Sequence, residues 1–277
     1  MWNKRLYLAT SDCFGMSTTE QIKTFAKIGF DGFFTEWQTD SPLEEWVQAA
    51  RETGMTYHSI HAPFGRSADM WGDDPARGQE ALDGLLACLT DCKLWEVPIM
   101  VVHAFIGFED HTPTQAGLER FGRLVQSAEN SGVRIAFENT EGEEYLFALM
   151  DEFADHPAVG FCWDSGHEMC YNHSQDLLAR LGDRLIITHL NDNLGIRDYN
   201  GKITWKDDLH LLPFDGVADW DDNVERLKKC NYDGVLTFEL TRDSKPGRHE
   251  NDRYKKMEPI EYLTEAYKRA CRIAAKF

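Results

Sequence analysis

The chain has 277 residues, enough for one large domain with a substantial core, and a composition of 42% hydrophobic and 27% charged residues excludes a fibrous repeat or a disordered chain. Its net charge of −18 makes it a poor general binder of nucleic acid or anionic membrane. Seven cysteines without a Cys-x-x-Cys pair argue against a structural zinc knuckle and fit reduced thiols in a cytoplasm.

The opening Met1-Trp2-Asn3-Lys4-Arg5 leads at once into a short apolar run, too short for a signal peptide, and no apolar run approaches the roughly 20 residues needed to span a bilayer. Leu6 to Thr10 reads as a first strand, and Ser17-x-x-Glu20 as a capping box opening a helix to about Ile28. Gly32 to Glu36 is the second strand, and Pro42 starts a helix to Thr53. Thr56 to His61 is the third strand, with a helix from Pro75 to Trp95 in which Cys88 and Cys92 lie one turn apart as packing residues. Ile99 to His103 is the fourth, followed by a helix from about Pro113 to Asn130 that Gly132 ends. Arg134 to Glu138 precedes a helix over Glu143 to Ala154, and Val159 to Asp164 one near Gln175 to Leu181. Leu185 to His189 is the seventh strand, and its helix spans Asp219 to Cys230 after a long irregular connection, residues 193–217. A connection of that length in a compact domain is usually functional. Gly234 to Glu239 is the eighth strand, and Pro259 to Ala275 the closing helix.

Eight β-then-α units with near-continuous apolar strands predict a parallel sheet buried on both faces. The fold expected is α/β, a single-domain (β/α)8 barrel over residues 1–277, the chain length being close to the usual 250 or so. No Gly-x-Gly-x-x-Gly follows the first strand, which removes the main support for a dinucleotide-binding sheet.

Polar residues collect at the strand ends: Glu36, His61, His103, Glu138, Asp164, His189 and Glu239. In a parallel barrel these ends converge on one face, where the active sites of such folds sit. A single histidine there is more often a structural hydrogen-bonder. Seven acid or imidazole groups at equivalent positions are harder to dismiss, because converging carboxylates repel unless a cation neutralises them. Oxygen and imidazole donors without thiolate suit Mn, Zn, Mg or Co.

Several stretches then resemble a known family: His61-Ala62-Pro63, Val101-Val102-His103, Phe137-Glu138-Asn139, Trp163-Asp164-Ser165-Gly166-His167, Thr188-His189-Leu190-Asn191-Asp192, Asp208-Leu209-His210 and Phe238-Glu239. The chain resembles the xylose isomerase-like TIM barrels, which include sugar and sugar phosphate isomerases and epimerases and the family-2 AP endonucleases. In the epimerase branch the resemblance implies one metal held by Glu138, Asp164, His189 and Glu239, with Glu138 and Glu239 exchanging a proton beside a carbonyl through an enediolate. His61, His103 and His167 would contact substrate. In the endonuclease branch nine residues hold three zinc ions, and His61, His103, His167, Asp208 and His210 would join the four as additional metal ligands.

The implied activity is therefore a divalent-metal-dependent isomerase or epimerase acting on a sugar, sugar phosphate or related polyol ketone in carbohydrate metabolism. The alternatives are a zinc-dependent phosphodiesterase acting on abasic DNA and a keto-inositol dehydratase-type lyase. DNA binding needs basic groups around the cleft. The two candidate loops offer Arg197, Lys202, Lys206, Arg242, Lys245 and Arg248 but also Asp192, Asp198, Asp207, Asp208, Asp215, Asp243 and Glu250, a neutral-to-acidic balance. A small sugar needs only a few donors and an aromatic wall, for which Trp37, Phe64, Trp71, Phe105 and Trp163 are candidates. The expected partner is a small sugar-like molecule, with no membrane or nucleic acid, in a cytoplasmic setting. Barrels of this kind often form homo-oligomers, though no stretch marks an interface.

Overall fold

The computed structural model describes residues 4–109, 112–196 and 202–277. Its strands are β1 (Leu6–Ala9), β2 (Gly32–Glu36), β3 (Thr56–His61), β4 (Ile99–His103), β5 (Arg134–Glu138), β6 (Val159–Asp164), β7 (Leu185–His189) and β8 (Leu236–Phe238). Its α-helices are α1 (Thr18–Ile28), α2 (Leu43–Thr53), α3 (Pro75–Leu94), α4 (Gln115–Ser131), α5 (Glu143–Glu152), α6 (Ser165–Cys170), α7 (Leu177–Leu181), α8 (Trp220–Lys229) and α9 (Pro259–Ala274). Seven parallel pairings run in the order β7-β6-β5-β4-β3-β2-β1-β8. The ring closes just beyond β7, where Leu190 bridges to Phe238 and its N–H donates to the Thr237 carbonyl at 2.8 Å. The fold is a single (β/α)8 barrel.

The expected capping box of α1 is present, with Ser17 accepting from the Glu20 N–H and the Glu20 carboxylate accepting from the Ser17 N–H. Two cores follow from the period-two alternation of buried strands. One phase of each strand faces the helices, and residues such as Ile60, Met100, Phe137, Phe161 and Phe238 join the large outer core. The other phase faces inward, where Ile99, Val101, Ala136, Cys162 and Ile187 form a small separate cluster inside the barrel.

That inward phase decides what the strand ends do. His103 lies two residues beyond Val101, Glu138 two beyond Ala136, Asp164 two beyond Cys162 and His189 two beyond Ile187. Each strand therefore delivers its terminal polar side chain onto the top of the interior cluster. Register pairs His103 with Glu138, Asp164 with His189 and Glu36 with His61.

Two elements depart from the sequence-based expectation. Strand β8 starts at Leu236 rather than Gly234, because the Val235 carbonyl accepts from the Tyr232 hydroxyl at 2.8 Å. Helix α6 follows β6 without a loop, in a stretch where the sequence placed no element. The connection between β7 and α8 is organised by Asp192, whose carboxylate accepts from the N–H groups of Asn193, Phe214 and Ala218 and from the Trp220 indole. An antiparallel bridge from Asp192 to Leu211 folds this connection back over the barrel mouth.

Candidate functional site

His61, His103, Glu138, Asp164, His167, His189, Asp208, His210 and Glu239 come together at the C-terminal mouth of the barrel. Ligand atoms of Glu138, Asp164, His189 and Glu239 all lie within 4.8 Å of one another. The His189 Nδ1 stands 2.9 Å from Glu138 Oε1 and 2.9 Å from Glu239 Oε2. The Phe34 ring stacks on His189 at 4.5 Å with an interplanar angle of 4°, fixing the plane of the imidazole.

Three further donor groups share members with this one, and the first adds Cys162 to Glu138 and His189. His61 Nε2 lies 3.1 Å from His103 Nε2 and 3.2 Å from Glu138 Oε2, and His103 Nε2 lies 3.3 Å from the same oxygen. His61 Nδ1 donates to its neighbouring Ala62 carbonyl at 2.9 Å, which fixes the ring and turns Nε2 toward the cluster. Asp164, His167 and His210 form the third group. His167 Nδ1 donates to the Asn139 carbonyl at 2.9 Å, and its Nε2 lies 3.6 Å from Asp208 Oδ1, which is also 2.8 Å from His210 Nε2.

Neighbouring side chains hold the residues of this cluster. Asn139 donates from Nδ2 to the Asp164 carbonyl at 2.9 Å and accepts from the Asp164 N–H at 2.8 Å. Asn191 donates to Asp164 Oδ2 at 2.9 Å, while Oδ1 accepts from the His167 N–H at 2.6 Å. Gly166 is required by this arrangement, since a Cβ there would sit 1.8 Å from Asn191 Oδ1.

The electrostatics follow from burial and pairing. Burial alone would raise Glu138, but the charge of His189 and hydrogen bonds from His103, His189 and His61 hold its carboxyl well below the usual range. Glu239 is likewise brought down to about 2, His189 and His210 outweighing burial. Burial pushes Asp164 up to about 6 and His103 down to about 4. For His210 burial works downward, but Asp208 and Glu239 carry it up to about 9.

A divalent cation fits this donor set. One imidazole nitrogen bears one hydrogen, yet His189 Nδ1 faces two carboxylate oxygens at equal distance, and a cation between the three would satisfy all of them. The four donors are oxygen and imidazole.

Above the cluster opens a cavity of about 450 Å³ lined by Glu36, His61, Phe64, His103, Glu138, Glu141, His167, Tyr171, Trp205, Asp208, His210, Glu239 and Lys245 among others. Glu36, the seventh strand-end group, lines this wall rather than the metal-like cluster. Of the expected aromatic wall only Phe64 takes part. Trp37 donates to Asp91, Trp71 to the Ala104 carbonyl and Trp163 to Glu168, while Phe105 stacks on Tyr145 at 4.0 Å. Trp205, Tyr171, Glu141 and Lys245 were not singled out in the sequence as wall residues; they sit in aperiodic loops or at a helix end with no motif around them.

The loop cations are largely engaged. Arg248 pairs with Glu250 at 2.8 Å and Asp207 at 3.3 Å, Lys245 lies 3.7 Å from Asp208 Oδ2, and Arg242 reaches the Met257 carbonyl at 3.5 Å. Arg197 lies outside the described residues.

Fold and site together define a parallel barrel with a polar cluster at its strand ends, and the chain belongs to the xylose isomerase-like TIM barrels, whose family model matches residues 22–266. Among solved structures, the IOLI protein with a binding zinc atom superposes with a TM-score of 0.77 at 18% identity, covering 99% of each chain. A D-tagatose 3-epimerase-like protein gives 0.73 at 17% identity over 98% of each. The 3-keto-D-glucoside 4-epimerase of E. coli gives 0.67 at 18%, covering 94% of this chain and 99% of that one. At these identities the likeness is one of fold. An uncharacterized protein of Sinorhizobium fredii is 40% identical over 106 residues, which is 38% of this chain and 31% of that protein. An uncharacterized protein of Methanocaldococcus jannaschii is 26% identical over 126 residues, 42% of this chain and 40% of that protein. The matched stretches thus span well under half of these curated relatives. Among the described residues no helix is long and apolar enough to cross a membrane.

Proposed function

We propose that the chain is a divalent-metal-dependent isomerase or epimerase of a sugar-like ketone, working by proton transfer beside the carbonyl. The observation that carries this reading is the pair Glu138 and Glu239, each 2.9 Å from one imidazole nitrogen, at the floor of a cavity walled by hydrogen-bonding side chains. A bound Mn, Zn, Mg or Co ion would hold and polarise the substrate oxygens, making the neighbouring carbon acidic. Glu138, Asp164, His189 and Glu239 would hold that ion. One glutamate takes the proton from carbon while the electron pair moves onto the carbonyl oxygen, giving an enediolate. The other glutamate returns a proton. His61, His103 and His167 present imidazole nitrogens to the same space and bind substrate oxygens. Both free ketoses and keto-glycosides fit this chemistry, as the names of the tagatose epimerase-like and keto-glucoside epimerase neighbours suggest. Elimination from a keto-inositol begins with the same proton abstraction.

A second reading is favoured by one observation. The groups His61–His103–Glu138 and Asp164–His167–His210 offer places for two more ions, as a zinc-dependent phosphodiesterase acting on abasic DNA would need. Against it stand the net charge of −18 and loop cations paired with acids. The deciding experiment measures solvent-hydrogen exchange into a panel of ketoses, keto-glycosides and keto-inositols, together with metal content per chain. Exchange with one tightly bound ion is the expected result. Three zinc ions, nicking of abasic DNA and no exchange would reverse the ranking.

The close approach of Gly166 to Asn191 gives a separate test of the ligand set. Gly166→Ala displaces Asn191 from Asp164 and is expected to weaken divalent-ion binding by roughly 10–100-fold, read by competition with a chelating dye. Unchanged affinity would show that Asp164 is not held for a metal.

A further inference from the structure

The cavity changes character with depth. Its floor is made of carboxylates and imidazoles, whereas its rim carries Phe64 and Trp205, which are 37% and 51% exposed. Among the described residues these are the only aromatic side chains exposed to that degree, and both line this one cavity. Phe64 stands over one side of the floor, stacked on His103 at 4.6 Å and edge-on to His61 at 5.5 Å. Trp205 stands over the other side, with Lys245 Nζ 5.7 Å from its ring centroid and 3.7 Å from Asp208. Ile106 lines the same cavity.

A free ketose carries hydroxyl groups all round and is served by the floor. It leaves the two aromatic faces in water, a placement that ordinarily marks a contact surface. A ring with an apolar face, whether an aryl group or the carbon–hydrogen face of a second sugar, stacks on such side chains and excludes that water.

We propose that Phe64 and Trp205 form a second subsite for such a ring, so that the substrate is a ketone-bearing sugar in glycosidic linkage rather than a free ketose. The inference rests on the proton-transfer reading above and adds the substrate class. The glutamates act on the ketone-bearing ring at the floor, and the linked ring occupies the rim.

The test compares kcat/KM for solvent-deuterium exchange beside the ketone in four compounds: a free ketohexose, a methyl keto-glucoside, a phenyl keto-glucoside and a keto-disaccharide. At least one ring-bearing compound is expected to exceed the methyl glycoside by about tenfold. Trp205→Ala and Phe64→Ala are expected to bring that ratio near one, and Trp205→Phe to retain most of it. Preference for the phenyl compound alone, the disaccharide alone or both supports the subsite and identifies the ring. Equal rates for methyl and ring-bearing glycosides in the wild type, or a ratio that survives both alanine substitutions, overturns it. Exchange with the free ketohexose alone overturns the subsite and leaves the proton-transfer chemistry standing. Exchange with none of the four overturns both.

Discussion

Glu138→Gln is expected to lower solvent-hydrogen exchange into the epimer that Glu138 deprotonates by about 10²–10⁴-fold, the usual contribution of a positioned acid–base group. The substitution keeps the size of a fully buried side chain, so the barrel persists and the far-ultraviolet circular dichroism is unchanged. What it removes is the charge that three imidazoles face: His189 at 2.9 Å, His61 at 3.2 Å and His103 at 3.3 Å. Metal content measured on the same sample separates the two duties of this residue. Lost exchange with the ion retained assigns proton transfer to Glu138, and lost exchange with the ion lost assigns it to holding the metal. Glu239→Gln is expected to do the same for the other epimer: each substitution leaves a single glutamate, so interconversion of epimers stops while the epimer served by the remaining glutamate still exchanges its hydrogen with solvent. Undiminished exchange in Glu138→Gln would remove the acid–base role altogether.

The barrel was legible because its strands are apolar runs that end on a polar residue. Strands β2 to β7 fall where that transition predicts them. The convergence of His61, His103, Glu138, Asp164, His189 and Glu239 was legible for the same reason, since equivalent strand ends in a parallel barrel must meet, whereas His167, Asp208 and His210 lie off the strand ends and were reached only through the family resemblance. Helix α6 was hidden by double use of one residue. Asp164 reads as a ligand at the end of a strand, yet its Oδ1 also accepts the His167 N–H and caps a helix that starts at the next residue. An Asp-Ser-Gly-His stretch satisfies both patterns, and the sequence alone gives no reason to look for the second.

The rim was less accessible. Trp205 reaches the cavity because Asp192 gathers four donors and bends the connection after β7 over the mouth, while Lys245 comes from the loop after β8. Three of those four contacts join residues more than twenty positions apart, which no local periodicity encodes. The aromatic residues near strand ends were misleading for a related reason. Trp163 lies beside Asp164 in the opposite phase of β6, so its indole faces the helices and donates to Glu168.

Glu168 leads to the largest expected effect on stability. Arg226 of α8 holds its carboxylate in a two-pronged pair, 2.8 Å to Oε1 and 2.9 Å to Oε2, and reaches Asp176 at 2.7 Å. The Arg226 and Glu168 side chains are only 11% and 6% exposed, and the guanidinium lies 5.2 Å from the Trp163 ring centroid. Glu168 also accepts from the Leu177 N–H at 3.1 Å, so one carboxylate ties α6, α7 and α8 together. Arg226→Ala leaves that buried charge beside Asp176 without its cation, and is expected to cost about 3–5 kcal/mol. The shift is read as a lower urea midpoint at unchanged slope. Because α6 also carries His167 and is capped by Asp164, the variant should bind divalent ions more weakly than its residual fold implies. The double variant Arg226→Met with Glu168→Gln removes both charges and keeps the volume, so it should recover much of the loss. A double variant no more stable than Arg226→Ala would show that packing, rather than the unpaired carboxylate, sets the cost.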